Sequence, residues 1–176
     1  MAIYPRLDLI AQRTQFGDDS LILWCVDNIG GSDQSESSET TGTSRASGSL
    51  TKTFSLPRVS WTIPANAPIF VVLYIARTQN ASYCVIDDVD VSLSKYDYGT
   101  SSWSDFLTIN KDLDSSADVR TFVRESLSSS QDLNGYGFGL KITVTYHTTD
   151  ASYGVKVAIK HSRGNPETYL ILPVEV

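Results

Sequence analysis

The sequence predicts an all-β fold, an antiparallel β-sandwich with at least one flanking helix at about residues 115–129. Most of the chain consists of short segments that alternate apolar with polar residues or run apolar throughout, and both patterns are typical of strands. Clusters of glycine, proline and asparagine separate these segments, as turns do. Only one segment carries an apolar stripe with helical spacing, so strands dominate the predicted architecture.

The first two predicted strands cover residues 7–14 and 20–27, with a Gly-Asp turn signal between them. Cys25 lies in the second of these strands, and Cys84 lies in a later apolar segment. Nothing in the sequence marks an oxidising compartment, so we expect both cysteines to be buried free thiols.

Residues 31–49 consist almost entirely of Ser, Thr, Gly and acidic residues. Because this segment has little apolar surface to bury, it is predicted to be a mobile loop. Its far end changes character at Ser47, from which hydroxyl residues occupy every second position while Leu50, Phe54 and Leu56 occupy alternate ones. That period of two predicts a strand with one hydroxyl-bearing face.

Six further strands are predicted, over residues 69–76, 82–94, 106–109, 140–147, 155–160 and 169–176. The first of these is an uninterrupted apolar run, which suits a central strand. Residues 140–147 and 155–160 alternate in period two, which is typical of strands.

The helix is predicted from an N-capping residue and an apolar stripe. Ser115 or Ser116 can cap its first turn, in which Asp118 also lies. An apolar stripe with helical spacing follows, formed by Val119, Phe122, Val123 and Leu127.

Size and charge restrict the function. A chain of 176 residues is expected to form one domain, here residues 1–176. The net charge of -6 and the absence of a Lys/Arg cluster argue against a nucleic-acid partner and against attraction to anionic lipid. The N-terminus lacks a signal-peptide pattern and no apolar run approaches bilayer length, so the chain as given is expected to be soluble.

The most informative run is the eight-residue stretch at 96–103, which sets Tyr96, Tyr98 and Trp103 among glycine, serine and threonine. Small turn-forming residues cannot cover aromatic rings, so these rings are predicted to form an amphipathic contact surface at a loop tip. Such a surface suits a sugar, a lipid head group or a membrane interface. The alternative is that one or two of the rings fold back onto the rim of the sandwich.

Catalytic chemistry is not expected. His147 and His161 have no Ser or Cys motif nearby, and both are interpreted as solvated histidines. The acidic cluster Asp87-Asp88-Val89-Asp90 could offer oxygen ligands to calcium together with Asp97, but its surroundings read as a strand rather than a loop. We therefore predict a non-enzyme without a cofactor or a bound metal.

Several motifs, in order, resemble the actinoporin family, the sea-anemone cytolysins and their relatives. Tyr96-Asp97-Tyr98 with Ser102-Trp103 resembles the aromatic loop of that family, and the stretch 117–122 resembles the start of its lipid-site helix. Residues 135–141 resemble its Gly-Tyr-Gly-Leu-Lys stretch. Further pieces match at residues 26–28, 45–48, 56–57, 71–74 and 155–162, so the resemblance covers about residues 21–162.

The resemblance implies a soluble β-sandwich that binds choline head groups, sphingomyelin especially, at target-cell membranes and then oligomerises into a pore, as a toxin does. Carried over by position, the head-group site comprises Ser47, Val72, Tyr96, Tyr98, Trp103 and Phe122. A choline cation over aromatic faces gains up to about 2 kcal/mol from the cation–π interaction when it is desolvated.

The departures from this family keep two other functions open. The apolar amphipathic helix that inserts into membranes in that family has no counterpart before residue 21, where Pro5 and Arg6 stand. Phe122 occupies a tyrosine position, and Ser126 and Leu127 stand where the family has further tyrosines. Fungal fruit-body lectins, of the same superfamily, share the sandwich and bind cell-surface glycans, so a glycan-binding module without pore formation is the alternative. A structural or assembly protein, with the aromatic loop as a subunit contact, is the second alternative.

Overall fold

The computed structural model describes residues 9–13, 20–25, 36–40, 47–161 and 168–175. Within these ranges the chain is mostly β-strand and the named strands all pair antiparallel, which confirms the predicted all-β, sandwich-like class. A turn of 3₁₀ helix at Ala81–Tyr83 is the one helical element among the described residues. The strands are β1 (Leu9–Arg13), β2 (Ser20–Cys25), β3 (Glu36–Thr40), β4 (Ser47–Leu56), β5 (Thr62–Ile63), β6 (Pro68–Gln79), β7 (Cys84–Asp97), β8 (Ser102–Ser115), β9 (Val119–Ser126), β10 (Gln131–Asp132), β11 (Gly137–Thr148), β12 (Lys156–Lys160) and β13 (Tyr169–Pro173).

A four-stranded sheet has the order β4-β11-β7-β8. In it β11 runs from Phe138 opposite Leu56 to His147 opposite Ser47, and its other edge pairs with β7. The sheet is bent by register shifts near Tyr146 in β11 and Ser94 in β7, as β-bulges bend a strand.

A seven-stranded sheet is built around β6, the apolar strand predicted to be central. One edge of β6 pairs with β9, and the other pairs with β13 near its start and with β12 near its end. The sheet continues from β13 to β2 and β1, and from β12 to β3. The short ribbon β5-β10 lies beside the two sheets, and Thr62 of β5 exchanges main-chain hydrogen bonds of 2.8 and 2.9 Å with Glu175.

The two sheets bury one common core. Alternate residues of β6 (Ile69, Val71, Leu73 and Ile75) and of β11 (Leu140, Ile142, Val144 and Tyr146) face it and are essentially inaccessible to solvent. Each fully buried aliphatic side chain contributes about 1.5–3 kcal/mol. No helix among the described residues is both long and apolar enough to cross a membrane.

The predicted helix at 115–129 is wrong, because Val119–Ser126 is strand β9. The apolar stripe fits the period of a helix and also that of a strand. Val119 and Val123, four residues apart, would share one side of a helix, and they also share one face of a strand. In the structure Thr121 and Val123 lie on the side of the core, whereas Phe122 is exposed on the opposite face. The pairing of β9 with β6 over eight residues, Val119 opposite Ile75 through Ser126 opposite Pro68, overrides the local helical pattern.

The Ser-rich segment 31–49 is not a loop throughout. Glu36–Thr40 forms β3 and pairs with β12, and Ser47 begins β4 as predicted. Residues 31–35 and 41–46 lie outside the described residues.

Buried polar groups differ partly from expectation. Cys25 and Cys84 are free and buried, as predicted, and burial raises the pKa of the Cys84 thiol to about 11. His161 is not solvated: it has no exposed surface, and its ring meets Phe54 edge-on at 5.0 Å. His147 is partly exposed, and its Nδ1 lies 2.6 Å from Oδ1 of Asp87.

A candidate binding surface on the outer face of the seven-stranded sheet

The six predicted site residues fall in three places. Tyr96, Tyr98 and Trp103 lie together at one end of the four-stranded sheet. Val72 and Phe122 lie directly opposite each other on β6 and β9 of the other sheet. Ser47 is exposed at the start of β4 beside His147, at the end of the four-stranded sheet remote from Trp103.

The aromatic run folds back onto the four-stranded sheet. Trp103 lies within β8, and its ring packs edge-to-face on Tyr96 at 5.2 Å, with Tyr98 on another side of Tyr96 at 5.0 Å. Tyr96 has 0% of its surface exposed, so it supports its neighbours and does not itself offer a contact surface. The turn is fixed by Asp97, whose carboxylate accepts a hydrogen bond of 2.7 Å from the amide of Gly99.

Gly139 of β11 provides the space for Trp103. A Cβ atom built on Gly139 would lie 2.7 Å from the indole ring, closer than carbon atoms approach in proteins. The missing side chain is therefore what lets the indole lie flat against the sheet. Trp103 is half-buried as a result, rather than exposed at a loop tip.

Positive charge already occupies the aromatic faces near this cluster. The guanidinium carbon of Arg58 lies 4.4 Å from the centre of the Tyr98 ring, and the Lys95 amine lies 4.9 Å from the centre of the Tyr136 ring. A choline cation would have to displace Arg58 to reach that face of Tyr98. The cluster is therefore better suited to holding the sheet end together than to binding a cation.

The other pair of predicted residues belongs to a different surface. Along β6, β9 and β13, alternate side chains point away from the core and place five apolar residues next to each other. We call this group the Phe122 patch; it consists of Phe70, Val72, Phe122, Tyr169 and Ile171.

Phe122 is the most exposed large apolar side chain among the described residues, with 57% of its surface accessible. It stands opposite Val72, which in turn stands opposite Tyr169, and its ring centre lies 6.4 Å from that of Phe70. The patch borders a shallow groove of about 510 Å³ lined mainly by apolar atoms. A contiguous apolar patch beside a groove, unlike a single exposed apolar residue, is typical of a binding surface.

Three cations surround the Phe122 patch. Arg120 and Arg124 flank Phe122 on the same face of β9. The guanidinium carbon of Arg120 lies 4.2 Å from the Tyr74 ring centre, and that of Arg124 lies 5.7 Å from the Phe70 ring centre. Lys111 reaches across from β8: its amine donates hydrogen bonds to Thr121 Oγ1 (2.5 Å) and the Phe122 carbonyl (3.0 Å), and lies 5.6 Å from the Phe122 ring centre.

Sequence reasoning included only Val72 and Phe122 of this surface. Phe70 and Tyr169 lie in predicted strands but were not assigned to the site. The two arginines were missed because the segment 119–126 was predicted to be a helix. The signal was present: Arg120, Phe122 and Arg124 occupy alternate positions, which on a strand place them on one face.

The acidic cluster shows no metal-binding arrangement. Asp87 is hydrogen-bonded to His147, and Asp90 accepts a hydrogen bond of 2.8 Å from Asn110. Among the residues that the structure describes, no group of three or more acidic, cysteine or histidine side chains converges as metal ligands.

Comparison with known proteins does not assign a family. No protein-family model and no curated protein matches the chain. Among solved structures it is similar to a carbohydrate-binding module specific for non-crystalline cellulose, with 9% identity, a TM-score of 0.37 and coverage of 79% of this chain and 78% of that chain.

Two further structures are similar at the same level. One is from infectious bursal disease virus, with 9% identity, a TM-score of 0.34 and coverage of 81% of this chain and 34% of that one. The other is a CocE/NonD family hydrolase from Staphylococcus aureus, with 11% identity, a TM-score of 0.37 and coverage of 95% and 41%. The chain thus spans well under half the length of these two proteins. Likenesses this weak carry no argument about function, and the resemblance to actinoporins stays a prediction.

Proposed function

We propose that this protein is a glycan-binding β-sandwich and that the Phe122 patch holds the sugar. The observation that carries the proposal is the exposure of Phe122 at the centre of an apolar sheet face flanked by two arginines.

The chemistry of the patch matches that of a sugar ring. A sugar ring presents C–H groups on its faces and hydroxyl groups around its rim. The ring of Phe122 can bury the C–H face, while Arg120 and Arg124 lie to either side of it along β9, where arginine N–H groups can donate to hydroxyls of the neighbouring sugars in a chain. Tyr169 adds an aromatic side chain with a hydroxyl on the same face.

The patch is also preorganised for binding. Its residues lie on three strands joined by continuous main-chain ladders, and the inward neighbours of Phe70 and Val72 are core residues. Rings with two side-chain torsions on a rigid sheet lose little conformational entropy when a ligand binds. A flat and rigid aromatic face therefore suits a flat and rigid ligand.

The choline-binding toxin suggested by the resemblance is the less favoured candidate. Its six site residues are split among three places, Tyr96 is buried, and Arg58 covers one face of Tyr98. The toxin hypothesis predicts leakage of sphingomyelin vesicles that is lost in Trp103→Ala. The glycan proposal predicts no leakage and dependence on Phe122 instead.

The test is a glycan array followed by titration calorimetry on the best ligand. We expect Phe122→Ala to cost about 2 kcal/mol or more of binding free energy, roughly a thirtyfold loss of affinity, because it removes the central contact. Tyr153→Ala is the matched control, since Tyr153 is also an exposed aromatic (40%) but stacks on Tyr83 at a turn away from the patch.

Three results would overturn the proposal. They are the absence of any glycan ligand, glycan binding that survives in Phe122→Ala, and association of the unliganded protein through the patch in analytical ultracentrifugation. The last of these would favour the assembly hypothesis.

A further inference from the structure

We infer that the glycan held on the Phe122 patch is acidic, carrying a carboxylate or sulfate group that is bound by Arg124. This inference rests on the proposed function and specifies the substrate class of the same surface.

The first observation is the concentration of positive charge on one face of an acidic protein. The whole chain has 14 basic and 20 acidic residues, yet three basic side chains border the patch: Arg120, Arg124 and Lys111. A cationic site on an acidic background selects for a ligand of opposite charge, both in affinity and against neutral competitors.

Two acidic side chains near Arg124 along the chain, Glu125 and Asp118, make other contacts. Glu125 occupies the other parity of β9, opposite Ile69, and its carboxylate accepts a hydrogen bond of 2.9 Å from the amide of Ser126. Asp118, before β9, accepts hydrogen bonds from Arg77, from its amide at 3.0 Å and its Nε at 3.4 Å. Neither carboxylate is placed to pair with Arg124.

Arg124 is the group best placed to bind an anion. It is exposed, and among the described residues its side chain makes one contact, a cation–π contact in which the guanidinium carbon lies 5.7 Å from the Phe70 ring centre. A guanidinium group in such a contact keeps N–H donors that match the two oxygens of a carboxylate or sulfate.

The spacing of the two arginines sets the expected position of the acidic group. Arg120 and Arg124 are four residues apart on one face of β9, which separates their Cα atoms by about 13 Å in an extended strand. Phe122 lies midway between them. When one sugar ring stacks on Phe122, the next sugar of the same oligosaccharide therefore lies beside Arg124. The ligand is accordingly an acidic oligosaccharide rather than a single neutral sugar.

The experiment compares acidic oligosaccharides with their neutral counterparts by titration calorimetry. The probes are oligogalacturonate and its full methyl ester, and sulfated galactan oligosaccharides before and after desulfation. We expect the acidic member of at least one pair to bind about tenfold or more tightly than its neutral partner.

Variants then locate the charge recognition. Arg124→Gln should weaken binding of the acidic member far more than binding of the neutral one and so remove the preference, because glutamine keeps a hydrogen-bond donor for a hydroxyl group but carries no positive charge. Phe122→Ala should weaken both. Arg58→Gln is the matched control, because Arg58 is also an exposed arginine stacked on an aromatic ring, but on the other sheet. It should leave binding unchanged.

The other possible results contradict either the acidic-glycan inference alone or the glycan-binding proposal as well. Equal binding of acidic and neutral probes, or an unchanged preference in Arg124→Gln, overturns the inference but leaves the glycan proposal standing. Binding of none of the glycans overturns both. A single-stranded oligonucleotide that binds the patch more tightly than the acidic glycans overturns both as well, since it also combines negative charge with stacking.

Discussion

At the scale of single residues, the structure replaces one aromatic surface with another. The run at 96–103 left two alternatives, a contact surface at a loop tip or rings folded back onto the rim of the sandwich. Tyr96 and Trp103 pack against their own sheet, as in the second alternative, whereas Phe122 is exposed. The cause is Gly139, which lies about 40 positions along the chain from Trp103 and which, lacking a side chain, leaves room for the indole. Nothing within residues 96–103 reveals this room, so the sequence of that run alone could not show that the rings fold back.

The contact between Gly139 and Trp103 gives a prediction for single residues. Gly139→Ala should destabilise the protein by about 1–3 kcal/mol, because its Cβ would overlap the Trp103 ring. Chemical denaturation measures the loss. In a Trp103→Ala background the same substitution should cost much less, because the overlapping ring is gone. Equal losses in the two backgrounds would show that the alanine is disfavoured for another reason.

At the scale of elements, the identity of β9 decides which residues form a surface. On a helix, Phe122 and Val123 would share one apolar side; on the strand they lie on opposite faces, one exposed and one buried. Arg120 and Arg124 join Phe122 only because the segment is extended.

The two faces of β9 give the element-scale prediction. Val123→Asp should cost more than about 3 kcal/mol or prevent folding, since it places a carboxylate in the core. Phe122→Asp should change the free energy of unfolding by less than about 1 kcal/mol, as surface substitutions usually do. Urea denaturation monitored by circular dichroism compares the two. Similar losses at both positions would contradict the strand.

Most strands could be predicted from the sequence, because their alternation or apolar run is local information. The central position of β6 follows from its continuous apolar residues, and the alternation in β11 follows from having one face in the core. A strand was predicted at 106–109, but β8 spans Ser102–Ser115, because its pairing with β7 continues in both directions. The failure at β9 has the same origin: its stripe fits both periods, and the choice is made by the edge of β6, some 50 residues earlier.

At the scale of the whole molecule, both sheets contribute to one core, so neither can lose its structure alone. Val71 and Leu73 of one sheet and Ile142 and Val144 of the other belong to the same buried cluster. The Phe122 patch and the Trp103 cluster lie on opposite outer faces of this shared core. The patch can therefore be altered without disturbing the Trp103 cluster.

The shared core gives the whole-molecule prediction. Unfolding should be a single cooperative transition, with tryptophan fluorescence and far-ultraviolet circular dichroism changing at the same denaturant concentration. Trp24 lies in β2 of the seven-stranded sheet and Trp103 lies in β8 of the four-stranded sheet, so the fluorescence covers both sheets. Two separated transitions would show that the sheets unfold independently.

Lys111 has a consequence for how copies of this protein meet. A strand with unused main-chain groups along one edge is a template on which a strand from another molecule can grow, and among the described residues β9 is paired with β6 alone. The amine of Lys111 binds the Phe122 carbonyl and brings a charge to the strand. Charged side chains at a sheet edge oppose strand addition, so we expect Lys111 to limit association of copies of this protein through the strand that carries the exposed phenylalanine.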